Sequence, residues 1–185
     1  MAELTTDAGE KNHDKTMSEN GAIGSGLSGK RLMSRGNETI NSTNRKDIFD
    51  GCKTIIPEKY VLYSSNIRIS KIINELKKLD ADEYPNACGA LLRVLFELSA
   101  KYYLENLDGN DHTKEGFSQV ITNAARKLRD AGEINDAQHS QIVKDVNALR
   151  IIFNGYMHNT ETYPSSNALK NLFISHLAFI ESCQK

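Results

Sequence analysis

One stretch constrains this 185-residue chain more than any other. Ala87, Cys88, Leu91, Leu92, Val94, Leu95, Phe96, Leu98, Tyr102 and Tyr103 follow a helical period and set apolar groups almost all round the axis. A helix that is apolar on every side has to be wrapped by other elements. Pro85 suits its first turn, where a missing N–H costs nothing. Only Arg93, Glu97 and Lys101 interrupt the apolar surface, four residues apart and so on one strip. The chain is expected to build a bundle around this segment.

The flanking sequence supplies the wrapping. Ile69, Ile72, Ile73, Leu76 and Leu79 form the stripe of a preceding helix, capped by Ser64 or Ser65 and ending near Asp80. The loop Asp108-Gly-Asn-Asp-His-Thr closes the central helix, and Phe117, Val120, Ile121, Ala124 and Leu128 mark a third, ended by Gly132. A fourth starts near Asp136, whose carboxylate can cap it, carries Ile142, Val146, Leu149, Phe153 and Tyr156 inward, and runs to about His158. A fifth, capped by Ser165 or Ser166, buries Leu169, Leu172, Phe173, Leu177 and Ile180. No pair of segments alternates as strands do. The expected fold is an all-α bundle of about five helices over residues 54–185, entered through an extended linker at residues 54–63 around Pro57.

Residues 1–53 read differently. The first 50 hold a single aromatic residue, Phe49, with six of the 12 glycines and many Ser, Thr and Asn. Such a stretch buries too little apolar surface to offset its ordering entropy, so a disordered polar tail or linker is expected. Its run Gly24-Ser-Gly-Leu-Ser-Gly-Lys30 has the outline of a phosphate loop but lacks the strand that must precede one.

Charge argues against a protein that lives on phosphate contacts. The chain has 23 Lys+Arg against 24 Asp+Glu, and the residues beyond the first 50 are balanced at 16 of each. No apolar run reaches the roughly 18 residues of a membrane span. No signal-peptide core opens the sequence, which makes a cytoplasmic home the expectation. Cys52, Cys88 and Cys183 are odd in number and widely spaced, a poor basis for a disulfide framework or a zinc site. Walker, dinucleotide, His-Glu-x-x-His and Gly-x-Ser-x-Gly signatures are missing. The sequence implies no cofactor and no metal.

Chemistry is best sought at the end of the fourth helix. Asn147, Arg150, Asn154 and His158 are spaced by three, four and four residues and share one face. Arg and His converging there suit a phosphodiester: the guanidinium neutralises developing charge, and the imidazole serves as acid or base near neutral pH. A solvated helix face with a His complementing the helix dipole is the alternative. Arg93 and Glu97 need partners on their apolar helix. Facing the Arg150–His158 strip would supply them. For Glu97 and Lys101, an i,i+4 pair in solvent is the other outcome.

The run Leu149-Arg-Ile-Ile-Phe-Asn-Gly-Tyr-Met-His-Asn159, followed by Tyr-Pro-Ser and a last apolar helix, resembles the end of a HEPN-type helical domain. Ala90-Leu-Leu-Arg-Val-Leu-Phe-Glu-Leu-Ser-Ala-Lys-Tyr-Tyr-Leu104 is similar to that superfamily's long central helix. The resemblance covers about residues 64–183, and its specific element is Asn154-x-x-x-His158. It implies a homodimeric domain of prokaryotic defence or conflict systems. Many such domains are metal-independent ribonucleases in which His and Arg assist attack of the RNA 2′-OH on the adjacent phosphate. Asn154 and His158 match the family's Arg-Asn-x-x-x-His, but Phe153 stands where its Arg would be. Arg150 lies three residues earlier, displaced by about 4.5 Å along the helix and about 60° around it, and with seven residues between it and His158 it falls outside the family's Arg-x4–6-His spacing. The resemblance with this departure implies a non-catalytic interaction or dimerisation module. The alternatives are a ribonuclease using His158, Arg150 and Asn154 with Glu97 and Arg93 in support, and an adaptor bundle binding a protein partner.

Overall fold

The computed structural model describes residues 49–185, within which lie six helices and no strand. They are α1 (Ile67–Leu76), α2 (Pro85–Asp108), α3 (Phe117–Asp130), α4 (Asp136–His158), α5 (Ser166–Ser175) and α6 (Leu177–Ser182). The fold is all-α, and every other helix packs against α2. That central place follows from its composition: Cys88, Leu92, Leu95, Phe96, Ala100 and Leu104 are all buried. Its one fully buried hydroxyl, Ser99, accepts a hydrogen bond from Gln184 at 2.7 Å. The expected disordered tail, apart from its last five residues, and the phosphate-loop-like run fall outside the described residues.

Several helix ends differ from expectation, each for a local reason. Asn66 caps α1, its Oδ1 accepting from the Arg68 and Ile69 amides at 3.0 and 3.2 Å. Ser64 is occupied by the Asn66 amide and Ser65 by the Tyr102 hydroxyl, so neither serves as the cap. The helix stops at Leu76, and Leu79 packs half-buried from the turn beyond it. Asn135 rather than Asp136 caps α4, in a reciprocal box with Gln138 that satisfies two amides at once. Ser165 caps α5 as expected.

The fifth expected helix is two helices. His176, at φ −113°, interrupts it, and its Nδ1 meets the Leu172 carbonyl at 3.0 Å. Leu177 and Ile180 still reach the core, now from α6.

The segment at residues 54–63 is no linker. Ile55, Ile56, Pro57, Tyr60 and Leu62 are buried. The Ile56 amide donates to the Leu76 carbonyl at 3.3 Å, and the Ala81 amide to the Lys53 carbonyl at 2.9 Å. The Tyr60 hydroxyl donates to Glu181, past the middle of α6. Phe49 stacks at 5.3 Å from Tyr60 and 5.9 Å from Phe173, so the packed body reaches back at least to Phe49. A non-helical strap thus lies across the bundle, because five apolar side chains in eight residues gain more from burial than from exposure.

Candidate functional site

Asn147, Arg150, Asn154 and His158 do lie along one face of α4. Three of the four are exposed and Asn154 is half-buried. The capping box at Asn135 sets the start of this helix. At its far end the Asn159 amide bonds the Gly155 carbonyl at 3.0 Å, which makes His158 the last helical residue. The polar residues are interleaved with apolar ones: Ile151 is 63% exposed, and Val143 and Met157 are 37% exposed.

The adjoining face of α4 belongs to the core, and Phe153 is its centre. It is fully buried, with ring centroids 5.8 Å from Phe96 and 5.8 Å from Phe117. The residue directly before Asn154 is therefore a packing position. Tyr156 flanks it half-buried beside Gly89, and burial pushes its phenol pKa up.

Arg93 and Glu97 make no hydrogen bond or ion pair to this strip among the described residues. The Arg93 guanidinium lies 5.7 Å above the Phe117 ring, and its buried Nε has no hydrogen-bond partner. Glu97 pairs with Lys101 at 2.7 Å, and Lys101 also donates to the Thr113 carbonyl at 3.3 Å. The i,i+4 pair exists, but with side chains only 24% and 12% exposed it is no solvent pair. Both line a cleft of about 450 Å³ formed by α1, α2 and Thr113, to which α4 contributes nothing. The five candidate residues thus divide: His158, Arg150 and Asn154 stay together, while Arg93 turns to α3 and Glu97 to the α1–α2 cleft.

Two histidines outside the strip hold the better-defined polar arrangements. His112 Nδ1 lies 2.7 Å from Glu115 Oε1, and its Nε2 lies 3.1 Å from Asp108 Oδ1. Acceptors at both nitrogens suit the doubly protonated ring. The Glu115 bond first and the Asp108 bond second raise the His112 pKa above its ordinary value. His176 is buried, with Nδ1 on the Leu172 carbonyl, while its Nε2 lies 3.2 Å from the Asp145 carboxylate of α4 without a hydrogen bond to it. The spacing Asp108-x-x-x-His112-x-x-Glu115 was the visible signal for the first. A histidine within an otherwise apolar helix pattern was the signal for the second. Each ties segments together rather than facing an open pocket.

The thiols offer no nucleophile in the core. Cys88 and Cys183 are buried and held protonated by desolvation, Cys183 more strongly. No group of three or more His, Cys, Asp or Glu that could hold a metal occurs among the described residues. No helix among them is long and apolar enough to cross a membrane.

No family model, curated protein or solved structure matches this chain. Its functional reading rests on the residues themselves.

Proposed function

We propose that this chain is a HEPN-like, non-catalytic helical interaction module that acts as a homodimer in a prokaryotic defence or conflict system. The burial of Phe153 carries the reading. Ribonucleases of that type carry an Arg separated from the His by four to six residues, commonly directly before the Asn; here Ile151, Ile152 and Phe153 fill those positions, and Phe153 belongs to the aromatic core. The setting comes from the sequence resemblance of α2 and α4.

A metal-independent ribonuclease is the second reading. Its support is that Arg150, Asn154 and His158 share one accessible face. An adaptor binding a different protein is the third, and a stable monomer that captures no RNA would favour it.

The test is incubation of purified protein with total RNA and with tRNA in excess EDTA, alongside His158→Ala, with sedimentation of the same samples. A dimer that leaves RNA intact is the expected result. Cleavage by wild type and not by His158→Ala, leaving cyclic phosphate ends, would overturn the non-catalytic reading and give Arg150 the displaced role.

A further inference from the structure

The strap leaves one edge of the molecule unfinished. From residue 60 burial alternates strictly: Tyr60, Leu62 and Ser64 are buried, while Val61, Tyr63 and Ser65 are exposed. A period of two is the mark of extended backbone. Val61 is 84% exposed, Tyr63 72% and Ile67, at the start of α1, 76%, which places three of the most exposed large apolar side chains within seven residues. Backbone N–H and C=O groups of residues 61–65 make no hydrogen bond among the described residues. The Asn66 amide and Tyr102 hydroxyl reach only the Ser64 and Ser65 side chains.

Extended backbone with free polar groups and alternating exposed β-favouring residues is a strand edge awaiting a partner. We propose that residues 61–65 pair antiparallel with the same residues of a second copy of this chain, forming a two-stranded ribbon across a two-fold axis. This rests on the homodimer reading and names its surface. The chemistry favours self-pairing. A two-fold axis sets a segment against its own copy, so any charge in it is duplicated within a few residues on the other strand and repels. Residues 60–67 carry none, and lack the Lys or Pro with which exposed edges are ordinarily blunted. A register centred on Tyr63 places Tyr63 opposite its copy and Val61 opposite Ser65, giving an aromatic cross-strand pair at the axis.

Size bounds the strength. A ribbon of five residues a side falls below the roughly 1,200 Å² of standard interfaces, so the dimer is a weak one, assembling in the range of tens to hundreds of micromolar. Sedimentation velocity of the full chain from about 10 μM to about 1 mM reads it directly. Three proteins are compared: wild type, Val61→Lys/Tyr63→Lys, and Ile151→Lys on the exposed face of α4. All three substituted side chains are exposed, and circular dichroism confirms the helical fold. Wild type and Ile151→Lys dimerising alike, with the double variant weakened at least about tenfold, is the expected result. Amides of residues 61–65 then gain hydrogen-exchange protection as concentration rises. A dimer that survives the double substitution overturns the edge. If Ile151→Lys abolishes that dimer, the homodimer reading stands and moves to α4. A wild type that stays monomeric throughout overturns the edge and the homodimer together, leaving the RNA assay to judge catalysis separately.

Discussion

The Phe153 ring meets the Phe117 ring edge-on, at 5.8 Å and an interplanar angle of 73°. Phe96 closes on its other side at 5.8 Å, and Phe96 in turn touches His176 at 5.6 Å. Arg93 caps the far end of the row, above Phe117. One aromatic row therefore joins α2, α3, α4 and the break between α5 and α6. Phe153 stands in the middle of it.

Phe153→Arg writes the missing Arg back into the motif, yet it is expected to unfold the domain rather than activate it. A guanidinium there has no carboxylate partner and no water. Phe153→Ala is expected to cost about 3–5 kcal/mol, as large core truncations do. Urea unfolding measures both. A Phe153→Arg protein of native stability would show that the position is free for chemistry.

His112 makes stability depend on pH in a defined direction. Its pKa is raised in the folded state by Glu115 and then Asp108. The contribution is fully present below the unfolded value of about 6.5 and is lost as pH rises through the folded one. Asp108, lowered by the Asn110 amide and by His112, acts in the other direction at acid pH. His112→Gln is thus expected to lower the urea midpoint at pH 6 and to match wild type at pH 9. An equal deficit at both values would mean the ring contributes by packing alone.

The three thiols are expected to separate by reactivity. Cys52 is partly exposed and hydrogen-bonded to Thr54 at 3.1 Å, whereas Cys88 and Cys183 are buried. One thiol per chain reacts with an aromatic disulfide reagent in the native protein, and three react in denaturant. Rapid native reaction of all three would contradict the packing of α2 and α6.

The strap is a structural element, and truncation tests it. Ile56→Ala is expected to cost about 2–5 kcal/mol, since the side chain is fully buried and its amide holds the end of α1. A loose linker at this place would tolerate the change with no shift in the unfolding midpoint.

Local chemistry was legible wherever it repeats with the helical period. The apolar stripes of α1 to α5 and the Pro85 start of α2 could be read from residue types, because a helix face is set by neighbours three and four apart. So could the sharing of one face by Asn147, Arg150, Asn154 and His158. Which serine or asparagine caps a helix could not, since Ser64 and Ser65 are claimed by other partners.

Sequence alone determined that this chain is helical, that residues 85–108 form its centre, and that Phe153 belongs to the inward stripe of α4. These are properties of periodicity and apolar content, carried by neighbouring residues. Only the tertiary structure decided that residues 54–63 pack as a strap and that Arg93 and Glu97 turn away from α4. It alone set the break at His176 and left the backbone of residues 61–65 without a hydrogen-bond partner among the described residues. Those outcomes depend on segments far apart in the chain, such as Ile56 on Leu76, Tyr60 on Glu181 and His176 on Asp145. Their contact energies arise only once the bundle has closed.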